Sequence, residues 1–118
     1  MKSIDPKFQE QHAERAQDQT RLLQALASMT DESDILALLT DLCTPAELEA
    51  IVDRWRVVLA LDEGLTYRAI HANTGVSVTT VGRVARCHEM GEGGYQAALN
   101  ALNQHNRLSK RSKTANES

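Results

Sequence analysis

Residues 66–86 read TYRAIHANTGVSVTTVGRVAR, two short helical patterns that meet at Thr74-Gly75-Val76. The junction needs a residue at positive φ, a conformation that glycine adopts without steric cost, and Gly75 stands there. Ile70, Val76, Val81 and Val84 fall where such a pair of helices packs on itself and on the rest of a domain. The outward positions are Arg68, His71, Ser77, Thr79, Thr80, Arg83 and Arg86, side chains that can donate to phosphates or to base edges. The pattern predicts a helix-turn-helix over 66–88, with double-stranded DNA as the partner its outward face suits.

The clearest helix start lies upstream, at Thr44-Pro45-Ala46-Glu47. Thr44 can accept from the Glu47 amide, Glu47 can reach back to the Thr44 amide, and Pro45 takes the first helical position, where no amide hydrogen is missed. From there Leu48, Ile51, Val52, Trp55, Val58 and Leu59 recur at helical spacing and predict one buried face over about four turns, with Gly64 closing the helix. Thr66 caps the first helix of the pair and Ser77 the second. The segment from Phe8 to about Ala27 is helical but polar almost all round, with Leu22, Leu23, Leu26 and Met29 only near its end. Such a helix gains little from its own core, so it frays or lies across a partner subunit. Asp31 or Ser33 then caps a short helix whose Ile35, Leu36, Leu38, Leu39 and Leu42 are too many for one stripe, which places it centrally in a core. After Met90, Gly91-Glu92-Gly93-Gly94 is a loop, and Tyr95, Ala98, Leu99 and Leu102 form a last short helix.

These elements amount to an all-α domain over 8–104, between a disordered start at 1–7 and a flexible basic tail at 105–118. Only four aromatic residues and two prolines, with abundant Leu, Ala and Val, favour helices over a sandwich or barrel. So small a helical chain has limited area to bury alone, and helix sharing between two subunits is expected. No apolar run approaches a membrane span and the first residues are too polar for a secretory signal, so the expected location is the cytoplasm, with Cys43 and Cys87 as reduced thiols.

The formal net charge of −3 is unevenly spread: residues 21–53 hold one arginine against seven acids, whereas residues 107–118 hold four bases against Glu117. The local field at the reading face matters more than the overall sign, which predicts little affinity for DNA of arbitrary sequence. The acidic N-terminal half also admits an alternative, a helix-turn-helix module that binds protein without direct DNA readout. Enzymatic readings find no constellation. His12, His71, His88 and His105 lack metal-ligand spacing, His88 beside Cys87 points about 100° away from it on a helix, and GEGGY lacks the strand and lysine of a phosphate loop. No catalytic or metal site is therefore expected. Gly82, inside the second helix, is either tolerated or allows close approach of the backbone to DNA or a ligand.

Taken together, Cys43-Thr44-Pro45-Ala46-Glu47, Asp53-Arg54-Trp55-Arg56 and the Thr80-Val81-Gly82-Arg83 end of the helix pair resemble the Trp repressor family over roughly Leu22 to Leu102. The later Arg86-Cys87 and Gly91-Glu92-Gly93-Gly94-Tyr95 are more similar to its YerC/YecD-type members. The resemblance implies a six-helix Trp-repressor-like fold and an intertwined homodimer, in which the N-terminal helices, the long central helix and the last helix interlock. Two reading heads would then meet a palindromic operator at successive major grooves about 34 to 36 Å apart, a spacing general to such dimers and long associated with the Trp repressor itself. The function implied is transcription regulation, as a repressor. Arg68 would contact DNA, and Val78, Thr79, Thr80 and Gly82 would lie at or near base edges and phosphates. His71, where the tryptophan repressor has a lysine, would be a weaker, pH-dependent donor.

The same resemblance implies a small corepressor, L-tryptophan, between Arg54 and Arg83, with Thr44 matching a threonine that helps to hold it. Two guanidinium planes suit an indole through stacking and cation–π attraction and supply charge for a carboxylate. Two positions depart from this pattern. Val84 replaces a glycine that leaves room beside the indole, and Cys87 replaces a serine whose hydroxyl meets the ligand's ammonium, for which a thiol is a poor acceptor. Arg54 could instead be a structural arginine paired with an acid such as Asp53 or Glu49 on the neighbouring chain, and Arg83 a DNA contact.

Overall fold

The computed structural model describes residues 6–116, and their side chains through residue 110. Every regular element among the described residues is helical: α1 (Pro6–Ser28), α2 (Glu32–Leu42), α3 (Pro45–Asp62), α4 (Tyr67–Thr74), α5 (Val78–Met90) and α6 (Gly94–Asn116). The chain divides into two compact units at Leu48 and Glu49. No described helix is long and apolar enough to cross a membrane.

In the first unit the helix starts follow their local chemistry. Of the two candidate caps of α2 it is Asp31 that serves, its Oδ1 accepting from the Ser33 N–H at 2.8 Å and the Ser33 hydroxyl at 2.7 Å. At the head of α3, Thr44 Oγ1 accepts the Glu47 N–H at 3.2 Å while Glu47 Oε1 accepts the Thr44 N–H at 2.8 Å, a complete capping box. α1 opens at Pro6, two residues before the expected Phe8, with proline in the first-turn position it favours. Residues 1–5 of the expected disordered start lie outside the described residues.

The central place expected for α2 is not what the fold contains. Neither α1 nor α2 has a buried residue; Leu36 and Leu42 are 58% and 56% exposed. A helix with apolar side chains all round needs covering surface on several sides, and one copy of the chain provides it only in part, for Ile35, Leu38 and Leu39.

The second unit does build a core. Val57, Val58 and Ala60 of α3, Ile70 of α4, Val76 in the turn, Val81 and Val84 of α5 and Leu99 of α6 form one buried cluster, with Trp55, Leu59, Leu61 and Tyr95 packed against it. Burial on α3 is therefore shifted from the expected face. Ile51 and Val52 are exposed, whereas the consecutive Val57 and Val58 are both wholly buried, because the cluster covers the C-terminal half of the helix on two sides. Each such side chain contributes about 1.5 to 3 kcal/mol.

Helix α6 is longer than expected. It runs to Asn116 rather than giving way to a tail at 105, since nothing after Gly94 is Gly or Pro and Leu, Arg and Lys sustain a helix by propensity. Burial stops at Leu99, however, and positions 100–110 are exposed. Residues 117 and 118 of the expected tail lie outside the described residues.

Candidate nucleic-acid interface and effector cavity

The helix pair is locked by short-range hydrogen bonds. Thr66 Oγ1 accepts the Ala69 N–H at 3.2 Å to start α4, and Ser77 Oγ accepts the Thr80 N–H at 3.2 Å to start α5. Between them Gly75 has φ of 76°, and its N–H donates to the His71 carbonyl at 2.9 Å. Ile70, Val76 and Val81 hold the inner side of the pair in the core.

The outer side carries the residues expected there. Arg68, His71, Ser77, Val78, Thr79, Arg83 and Arg86 are exposed, and Thr80 and Gly82 are half-buried. The guanidinium groups of Arg68, Arg83 and Arg86 have no hydrogen bond or ion pair among the described residues, so all three are available to an external anion. Val78, 52% exposed in the first turn of α5, is an apolar side chain of the kind that meets a thymine methyl. Two of the polar residues already have partners. The Ser77 hydroxyl also donates to Thr80 Oγ1 at 3.0 Å, and His71 Nδ1 lies 2.7 Å from the Val76 carbonyl oxygen. For Gly82, an added Cβ would meet no atom within 4 Å, so internal packing does not require glycine there.

Beside this surface, within the second unit, lies a cavity of about 600 Å³ lined by Asp53, Arg54, Ser77, Thr80, Arg83, Val84, Cys87 and Tyr95 among others. Three of the four residues expected around a ligand, Arg54, Arg83 and Cys87, thus converge. The fourth, Thr44, belongs to the first unit, where its hydroxyl and amide are both engaged with Glu47. Within the chain Asp53 faces Arg56 at 3.7 Å, and Arg54 has no partner among the described residues. Val84 is 2% exposed and belongs to the core cluster while also lining the cavity. Cys87 keeps an exposed free thiol.

Asp53 and Tyr95 are cavity residues that sequence reasoning missed. Ala50, Asp53 and Arg54 stand at i, i+3 and i+4, one face of α3, and that spacing was the available signal. The half-buried Asp53 carboxylate is a better acceptor for an ammonium than the thiol that replaces the expected serine. No group of three His, Cys, Asp or Glu among the described residues is arranged to hold a metal ion.

Comparison with known proteins agrees with this architecture. The profile of the family described as Trp repressor protein matches residues 17–103. The chain is 33% identical over 88 residues to the uncharacterized protein YerC of Bacillus subtilis, an alignment covering 75% of this chain and 85% of that protein. Among solved structures it is similar to a TrpR-like protein from Eubacterium eligens, with a TM-score of 0.69, 32% identity and coverage of 74% of this chain and 90% of that one. A candidate Trp repressor from Staphylococcus aureus gives a TM-score of 0.68 at 27% identity, covering 73% and 86%.

Proposed function

This chain belongs to the Trp repressor protein family, and from that premise we propose that it represses transcription in the cytoplasm by occupying a palindromic operator as an intertwined homodimer. The observation that carries the reading is the set of exposed guanidinium groups without a partner among the described residues on the helix pair, Arg68 on α4 and Arg83 and Arg86 on α5. In this reading α5 enters the major groove. Arg68 and Arg86 meet phosphates and set register; Val78, Thr79 and Thr80 meet base edges, and the dimer spaces two such heads one helical turn apart. Support for the dimer comes from Leu22, Leu23, Leu36, Leu42, Ile51 and Val52, all exposed in a single copy.

The cavity is the effector site of the same reading. Arg54 and Arg83 offer two planar cations to a flat ring or a carboxylate, and Asp53 offers an acceptor to an amine, a set suited to an aromatic amino acid. L-tryptophan is the first compound to test. Arg83 lies both on the outer face of α5 and on the cavity wall, so ligand binding there has a direct route to DNA affinity.

Footprinting on genomic DNA with and without L-tryptophan tests all parts together. The expected result is a protected, two-fold symmetric site that Arg68→Ala weakens by at least about tenfold, as loss of a phosphate contact and its register would. Absence of any footprint down to about 50 mM salt rejects DNA readout and favours the protein-interaction module, for which the acidic segment 21–53 is the observation. Protection indifferent to L-tryptophan, with no heat of binding, rejects that effector alone.

A further inference from the structure

The contact between His71 Nδ1 and the Val76 carbonyl oxygen, 2.7 Å across the turn, has a definite polarity. A carbonyl oxygen can only accept, so the proton is on Nδ1. The other backbone group of Val76, its N–H, donates to Thr74 Oγ1 at 3.1 Å, and the Thr74 hydroxyl donates in turn to the Ile70 carbonyl at 2.6 Å. Both polar backbone groups of the residue two before α5 are thus held by side chains of α4, while its own side chain is buried in the core.

We propose that His71 is a positioning residue for DNA reading: its Nδ1–H ties the end of α4 to Val76 and so fixes the orientation in which α5 presents Val78, Thr79 and Arg83. In the neutral ring the remaining nitrogen, Nε2, is an acceptor, which cannot donate to a phosphate oxygen. In that neutral form the ring holds the turn and is not the donor to DNA expected of it. The role rests on the DNA-reading function proposed above, but the contact itself is measurable in the free protein.

Long-range proton–nitrogen NMR of the full chain, at a pH where the ring is neutral, should find a protonated Nδ1 and an unprotonated Nε2; the reverse tautomer overturns the proposal. His71→Asn keeps an amide nitrogen close to the Nδ1 position and should hold operator affinity within about twofold. His71→Lys supplies a cation without the fixed ring donor. It should raise amide exchange at Gly75 and Val76 about fivefold, the worth of one net hydrogen bond of about 1 kcal/mol, and weaken operator binding. A lysine variant with native exchange and tighter binding would show a phosphate contact and overturn the proposal. A native chain with the Nδ1–H tautomer that binds no DNA overturns the regulator reading and the positioning role with it, while the contact stands.

Discussion

The two units of this chain spend their apolar residues differently. In the second, valines, Ile70 and Leu99 from four elements close over one another to complete burial. In the first, α1 and α2 carry leucines at least as densely and bury none of them completely. The second unit closes a core from its own sequence, although Ile51, Val52 and Leu108 stay outside it, whereas the first closes none. Since apolar burial supplies most of the drive for folding, the first unit should depend on assembly more than the second.

A pair of truncations puts that contrast at risk. Ile70→Ala removes a wholly buried side chain and should cost about 2 to 5 kcal/mol in urea unfolding followed by the single tryptophan, Trp55, which packs on the same cluster. Leu36→Ala should leave that transition nearly unchanged. It should instead raise the dissociation constant of the proposed dimer by about tenfold or more in sedimentation, because that reading has a second chain cover the side chain. Equal losses in the Trp55 transition, or a Leu36→Ala chain that associates as the native one does, would remove the distinction.

How far the sequence anticipated this arrangement depended on the range of the interactions involved. Thr44 with Glu47, Thr66 with Ala69, Ser77 with Thr80 and the left-handed Gly75 act over three residues or fewer, and all were legible. The leucines of α2 announce that something must cover them but not what, so a helix expected at the core stands at the surface. The shift of burial from Ile51 and Val52 to Val57 reflects which turns of α3 the later helices reach, information no local period holds. At the site, Arg54, Arg83 and Cys87 were placed through family resemblance, and the structure brings them together. Asp53 was hidden behind its role as a charge partner, and the contact of His71 with Val76 depends on a turn geometry that only coordinates reveal.

Gly82 sharpens the comparison within the second unit, between what its core needs and what its outer face needs. Beyond its chain neighbours and its own helix backbone, no atom of the described residues lies within 4 Å of a Cβ at this position, so Gly82→Ala should stabilise the free protein by up to about 1 kcal/mol in thermal unfolding. Operator affinity, measured on the same sample, should fall, because in the proposed docking the added methyl stands between α5 and the duplex. A variant that gains stability and binds the operator as tightly as the native chain would reduce this glycine to a tolerated helix residue.

The smallest expected effect belongs to the first unit and to acid. Hydrogen bonds from the Thr44 backbone N–H and hydroxyl hold the Glu47 carboxyl below its ordinary value of 4.5, and those from the Ser33 hydroxyl and N–H, with help from the Asp34 N–H, hold Asp31 below 3.8. Lowered folded values mean that the unfolded chain binds protons first. The stabilisation is therefore complete above the ordinary values and disappears as pH falls through the lowered ones. Both carboxylates are exposed, so the effect is modest. Asp31 caps α2 within the first unit, whereas Glu47 caps α3, which runs on into the second unit and carries Trp55, so loss of the Asp31 cap should reduce helicity before the emission of Trp55 changes. Glu47→Gln with Asp31→Asn retains an uncharged acceptor at each cap and should flatten that early loss. If helicity and Trp55 emission move together, and the double variant follows the native curve, the units share one acid transition and the first is not the weaker of the two.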